Sequence, residues 1–303
     1  MIKVFYMNTR NLKFVNILKI IRPYQWVKNI LVFIPMLMAH QLTINNFILS
    51  IKAFIIFSLI ASSIYVINDI VDVESDKKHP YKKYRPLAAG IINIDQCKIL
   101  IFFLLFLSGL FLITTNINFF LLIISYFIIS NLYTFFLKKY VFIDLLILAT
   151  LYTLRIISGG LITDISVSIW LLSFSIFFFI SLASVKRQIE LLNYKKLNKK
   201  EIAGRGYTFK DEGVINNISI LSGCVSILVL IFYINSPQVL KLYSSPSIMW
   251  GICVIMLFWI SRIIVIAKKG KIKDDPIVYA INDKISYLCL FLILCIIWLG
   301  IAI

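Results

Sequence analysis

The chain has 303 residues, 60% of them hydrophobic and 15% charged, with a mean hydropathy of +0.93. Charged residues make up about a quarter of an ordinary soluble domain, so this composition excludes a soluble globular protein. The net charge of +17 comes from 31 Lys and Arg against 14 Asp and Glu; in a membrane protein it reports orientation and attraction to anionic headgroups, and no nucleic-acid partner is expected.

Residues 1–24 carry Lys3, Arg10, Lys13 and Lys19 among apolar residues and lack the compact apolar core and cleavage site of a signal peptide. They read as a basic interfacial arm. From residue 25 to 303 the chain reads as a single membrane domain, with apolar stretches at 25–43, 47–67, 97–114, 117–137, 141–162, 166–185, 214–235, 246–267 and 285–303. Each is near the length a bilayer requires, which predicts an all-α fold with nine spans. Residues 1–28, 69–98, 138–139, 186–210 and 262–284 hold 28 of the 31 Lys and Arg and fall at alternate ends of the spans. The positive-inside rule then predicts an inner-membrane protein with its N-terminus cytosolic and its C-terminus outside. Cys97, Cys224, Cys253, Cys289 and Cys295 lie in or beside apolar runs without a CxxC pair, so neither a disulfide nor a zinc site is expected.

The sharpest chemical signal follows the second span, where Asn68-Asp69-Ile70-Val71-Asp72-Val73-Glu74-Ser75-Asp76 gathers acids at a helix end. At about 100° per residue, Asp69, Asp72 and Asp76 share one face with Asn68 adjacent, whereas Glu74 points elsewhere. Carboxylates crowded at a membrane surface repel one another unless a cation neutralises them, and hard oxygen ligands suit Mg²⁺ bridged to substrate phosphates. A solvated helix end whose acids offset the following lysines is the competing reading. Lys77, Lys82, Lys83 and Arg85 come directly afterwards, in the run from Lys77 through His79-Pro80 to Gly90. Acids for a metal beside cations for phosphate oxygens suit a diphosphate ester substrate.

The pattern NDxxDxExD followed by HPxKxxRPLAAG resembles the first signature of the UbiA-type intramembrane prenyltransferase superfamily. That resemblance implies nine transmembrane helices around a central cavity open to the cytosolic side. Arg22 to Asn29 (RPYQWVKN), Leu137-Lys138-Lys139 leading to Asp144, Leu154-Arg155, Gly159-Gly160 and Lys186-Arg187-Gln188-Ile189-Glu190-Leu191 resemble its decaprenyl-phosphate phosphoribosyltransferase branch. Aromatic prenyltransferases of the superfamily carry a second acidic motif, DxxxD, after the sixth span to hold a second Mg²⁺; this chain has Lys186-Arg187-Gln188-Ile189-Glu190 there. The cations suit direct phosphate binding, and ordinary positive-inside anchoring is the alternative.

Arg155 lies inside a span, where an unpartnered guanidinium costs at least about 2.5–3.5 kcal/mol on insertion scales. Asp144 shares its helix face but lies about 16 Å away along the axis, too far for a direct pair. Arg155 is therefore expected to meet another helix or a substrate phosphate, with a structural ion pair as the rival account. Arg22 and Lys28 flank Trp26 and could hold a lipid phosphate or act as interfacial anchors. Asp274, Asp275 and Asp283 in the last cytosolic loop could bind metal or ribose hydroxyls, or simply end a solvated loop.

The resemblance implies Mg²⁺-dependent transfer of 5-phosphoribose from phosphoribosyl diphosphate to a polyprenyl phosphate. In that reading Asp69, Asp72, Asp76 and Asn68 hold Mg²⁺. Arg22, Lys28, Lys77, Lys82, Lys83, Arg85, Asp144, Arg155, Lys186, Arg187 and Glu190 contact the substrates. Isoprenyl transfer to an aromatic acceptor is a second reading, and a non-catalytic carrier of polyprenyl-phosphate-linked sugars a third.

Overall fold

The computed structural model describes residues 9–78, 82–196, 205–237, 239, 243–272 and 275–302, and every regular element among them is helical. Chain order gives α1 (Thr9–Ile21), a 3₁₀ segment (Pro23–Phe33), α2 (Ile34–Met38), α3 (Ile44–Val71), α4 (Val73–Lys77), α5 (Ile94–Leu112) and α6 (Ile117–Phe135). There follow α7 (Ile143–Thr163), α8 (Ile169–Lys196), α9 (Glu212–Ile234), α10 (Trp250–Lys268), α11 (Pro276–Ala280) and α12 (Lys284–Ala302).

Among the described residues, eight helices are long and apolar enough to cross a membrane. The predicted first span, 25–43, takes another form: eleven residues of 3₁₀ helix running into the five-residue α2. At about 2.0 Å per 3₁₀ residue and about 1.5 Å per α residue, this stretch still reaches about 30 Å, the thickness of the hydrocarbon core. Long 3₁₀ runs are uncommon because their hydrogen bonds are poorly aligned, so tertiary contacts must hold this one.

The chain falls into two compact units, Met1–Phe135 with Ser158–Ile165, and Phe136–Ile157 with Ser166–Ile303. In unit 1 the contacts holding the 3₁₀ segment are visible. Asn29 donates to Ser58 and the Trp26 indole to Ser62, both at 3.0 Å, while the Ser62 hydroxyl donates to the Ile21 carbonyl at 2.9 Å. Ser58, Ser62, Tyr65 and Asp69 recur at helical spacing, so one polar face of α3 is mated residue by residue to the 3₁₀ segment. Gly159 admits its backbone: a Cβ there would lie 2.0 Å from the Val32 carbonyl oxygen. The helix α3 starts on Thr43, whose side chain accepts from Asn46 N–H, and α5 starts on an Asn93–Gln96 capping box.

Unit 2 is built on α8 and α9, packed along small and polar residues. The Ser181 hydroxyl donates to the Ser219 carbonyl at 2.7 Å and Gln188 to Asn216 at 3.1 Å, while a Cβ on Gly223 would lie 2.9 Å from Ile260. Such residues let transmembrane backbones approach closely. Both α3 and α8 have 28 residues, about 42 Å, and outreach the hydrocarbon core by about eight residues.

Candidate functional site

Each unit contains a buried, electrically balanced cluster. In unit 1, Asp69 from α3 and Asp76 from α4 converge on one nitrogen of Arg85, at 3.1 Å for Asp69. Arg22 reaches the same Asp69 oxygen and lays its guanidinium over the Tyr65 ring, 5.3 Å from the centroid. Asp69 is 2% exposed, and a carboxylate buried that deeply needs these countercharges to remain ionised. Arg22 adopts a left-handed backbone, φ 53°, at the break between α1 and the 3₁₀ segment.

The expected set of three acids is not assembled as one metal-binding group. Among the described residues, no three His, Cys, Asp or Glu side chains gather at metal-ligand spacing. Asp72, at φ −92° and ψ 3°, is both the C-cap of α3 and the N-cap of α4. Asn68 is half-buried, and its carbonyl accepts from Asp72 N–H at 2.9 Å. Glu74 points to solvent as expected and pairs with Lys77 at 2.7 Å; that hydrogen bond holds its carboxyl below the usual range. Lys82 is half-buried, and Lys83 is exposed over the Tyr84 ring at 5.1 Å. Lys28 is buried within the 3₁₀ segment. His79, Pro80 and Asp274 lie outside the described residues.

In unit 2, Asp144 at the start of α7 receives a two-pronged contact from Arg187 of α8, with Nη2 at 3.2 Å, and a further contact from Arg205 at 3.1 Å. Arg187 also pairs with Glu190, and Arg205 Nε lies 3.0 Å from the same Glu190 oxygen. Arg187 is 0% exposed. Its donors to Asp144 and Glu190 are turned inside the protein. Lys186, its neighbour, pairs with Asp275 at 3.2 Å and keeps partial exposure. Asp275 also caps α11 by accepting from Ile277 N–H, which gives it a structural task.

Arg155 is 5% exposed, so it is not turned outward. It donates to the Leu151 carbonyl one turn earlier and sits over the Tyr152 ring at 5.5 Å, a ring that stacks on Phe179. Asp283 is occupied as well. The Arg262 fork reaches it at 2.6 and 2.9 Å, Ser286 donates from both backbone and side chain, and the Arg262 hydrogen bond leads in lowering its pKa to about 2. Charge counting along the chain missed Arg205 and Arg262, since a loop cation and a helix-end cation read alike as orientation signals. A glycine and a tyrosine directly after Arg205 in a lysine-rich stretch were the one local sign.

Residues 29–204 match the UbiA prenyltransferase family. The chain belongs to this family. Over 276 residues it is 32% identical to the nodulation protein NoeC of Azorhizobium caulinodans, covering 89% of this chain and 88% of that protein. Over 182 residues it is 33% identical to the decaprenyl-phosphate phosphoribosyltransferase of Mycobacterium tuberculosis, covering 58% of this chain and 60% of that protein. The chain spans about half, 52%, of the length of a further relative, from Sinorhizobium fredii. A UbiA homolog from Archaeoglobus fulgidus, solved with GPP and Mg²⁺, shares the fold with a TM-score of 0.70 at 15% identity, over 93% of this chain and 99% of that one. The UbiA-family chain is thus a multi-pass membrane protein.

The Asp69–Asp76 pair has the donor chemistry for magnesium, the metal with which the Archaeoglobus fulgidus homolog was solved. Both are hard carboxylate donors, of which Mg²⁺ commonly uses one or two while taking its other ligands from phosphates and water, and here their oxygens meet on an Arg85 nitrogen.

Proposed function

We infer that this UbiA-family protein transfers 5-phosphoribose from phosphoribosyl diphosphate to the phosphate of a polyprenyl carrier. The observation that carries this reading is the 33% identity to decaprenyl-phosphate phosphoribosyltransferase across 182 residues. The two clusters support it, since both bring guanidinium groups and carboxylates together near the ends of long helices.

Asp69 and Asp76, with Asp72 and Asn68 close in sequence, would hold Mg²⁺, which supplies charge stabilisation for a departing diphosphate. The chain's own task in unit 1 is to keep those carboxylates ionised and aimed. Arg22 and Arg85 do this, and Arg85 with Lys82, Lys83 and Lys77 supplies N–H donors for phosphate oxygens. In the reaction the bond from ribose C1 to the diphosphate oxygen breaks and diphosphate leaves with the electron pair. A lipid phosphate oxygen forms the new bond to C1. The nucleophile is already anionic, so no strong general base is required. In unit 2, Lys186 offers a further cation with partial exposure.

Purified protein with Mg²⁺, polyprenyl phosphate and labelled phosphoribosyl diphosphate tests the reading, with an isoprenyl diphosphate in a parallel reaction. Label from phosphoribosyl diphosphate is expected in the lipid fraction. Transfer from the isoprenyl diphosphate alone would overturn the donor assignment and leave isoprenyl transfer.

A further inference from the structure

Arg205 in unit 2 stands beside Arg187 and is held from two sides. Its side chain ties α7 to α8, with Nη1 donating to Asp144 at 3.1 Å and Nε 3.0 Å from Glu190. The residues that follow it fix its backbone. A Cβ on Gly206 would lie 2.3 Å from the Lys139 carbonyl oxygen, so any larger residue would push this stretch off the turn before α7. Tyr207 is 1% exposed, accepts from Phe142 N–H at 3.3 Å and packs in an apolar cluster with Leu191, Tyr194 and Ile215. Phe142 itself has a left-handed backbone, φ 68°, so the Tyr207 hydroxyl steadies a strained turn two residues before Asp144. Burial and the nearby Asp144 carboxylate push the Tyr207 phenol pKa upward, so it stays a neutral hydroxyl across the physiological range.

The two arginines differ in what they can reach. Arg187 is 0% exposed and enclosed by acids, so an incoming anion would have to break the cluster open to touch it. The Arg205 side chain keeps 19% exposure, and its guanidinium is a planar fork of five N–H donors already oriented by two carboxylates at ordinary distances. Pre-orientation of this kind lowers the entropy lost when an oxyanion binds. We propose that Arg205 is the phosphate-binding arginine of unit 2, with Arg187 as its buried support and Gly206 and Tyr207 as the clasp that presents it.

The inference rests on the reading of the protein as a transferase acting on phosphate esters. Its ligand is a phosphate group, carried either by a sugar diphosphate donor or by a lipid phosphate.

The test uses the full-length protein in lipid nanodiscs with Mg²⁺ and measures binding of three probes: inorganic diphosphate, labelled phosphoribosyl diphosphate, and polyprenyl phosphate incorporated in the disc. Arg205→Ala is expected to weaken at least one probe by about tenfold or more while lowering the thermal midpoint clearly less than Arg187→Ala does. Arg205→Lys should recover only part of the loss, because it keeps the charge without the fork. Loss confined to the sugar diphosphate identifies the donor as the source, and loss confined to the lipid identifies the acceptor. Gly206→Ala should weaken the same probe with Arg205 intact. Arg187→Ala provides the structural comparison and should lower the thermal midpoint sharply. Unchanged binding of all three probes by Arg205→Ala would overturn the proposal, as would a midpoint lowered as far as that of Arg187→Ala. If wild type fails to transfer phosphoribose yet binds diphosphate in an Arg205-dependent way, the donor assignment fails and the phosphate site stands.

Discussion

Asp69 concentrates the electrostatic demands of unit 1, since it is the most deeply buried acid there and both Arg22 and Arg85 converge on one of its oxygens. Asp69→Asn removes the charge that balances two guanidinium groups, so turnover should fall to background, and chelation of divalent metal by EDTA should do the same to wild type. Radiolabel transfer checks both; activity that survives either treatment would remove the metal from this site. Arg155 poses a different question, because its partners include a carbonyl and an aromatic face on its own helix. A planar cation suits the Tyr152 ring, which is itself stacked on Phe179. Arg155→Lys should therefore lose activity by about tenfold or more despite conserving charge, while Arg155→Leu should insert well and be inactive. Transfer assays on matched amounts of inserted protein decide between this and a simple countercharge.

Single helices carry testable energetics of their own. The 3₁₀ segment depends on Gly159, where a Cβ would meet the Val32 carbonyl at 2.0 Å, so Gly159→Ala should destabilise unit 1 by about 1–3 kcal/mol through overpacking. Gly109, in the last turn of α5, has nothing within 4 Å of an added Cβ. Gly109→Ala should be neutral, or stabilising by up to about 1 kcal/mol from helix propensity. Thermal melts in detergent compare the pair, and equal effects at the two sites would refute the close approach. The last helix, α12, is clipped at its start by the Arg262–Asp283 fork and by the Trp259 indole donating to Ser286 at 2.9 Å. Arg262→Ala should cost about 3 kcal/mol by leaving Asp283 without its partner. Asp283 has a pKa lowered in the folded protein from 3.8 to about 2, so the clip contributes fully above the higher value and is lost as pH falls through the lower one. The difference in melting point between wild type and Arg262→Ala should stay flat from pH 8 to about pH 5 and shrink on further acidification.

For the molecule as a whole, the membrane topology turns on the one segment that is not a spanning α-helix. The eight helices of sufficient length among the described residues, taken alone, would return the chain to the side on which it began. The 3₁₀ segment with α2 is long enough to supply a ninth crossing, and the distribution of Lys and Arg predicts that it does. Reporter fusions at the two ends should therefore report opposite faces, with the N-terminus cytosolic and the C-terminus outside. Reporters on the same face would show that residues 25–43 enter the membrane without crossing it.

Composition and periodicity by themselves determined that the chain lives in a membrane, that its elements are helices, and where the acids and cations cluster along it. Those properties are local: a bilayer demands about 20 apolar residues per span, and a helix places i, i+3 and i+7 on one face wherever it occurs. The family likeness was legible for the same reason, being carried by short runs such as Asn68–Asp76 and Lys186–Leu191. Only the tertiary structure decided which charges meet. Spacing put Asp69, Asp72 and Asp76 together, yet Arg85 and Arg22, 16 and 47 residues from Asp69 in sequence, gather Asp69 and Asp76 instead. Spacing likewise gave Lys186 and Arg187 one role, whereas Asp144, 43 residues away, draws Arg187 into the interior and Arg205 remains partly exposed. A charge inside or beside a membrane must find an opposite charge, because isolation in low dielectric is too costly. Which partner it finds depends on how distant helices pack, and no local periodicity encodes that.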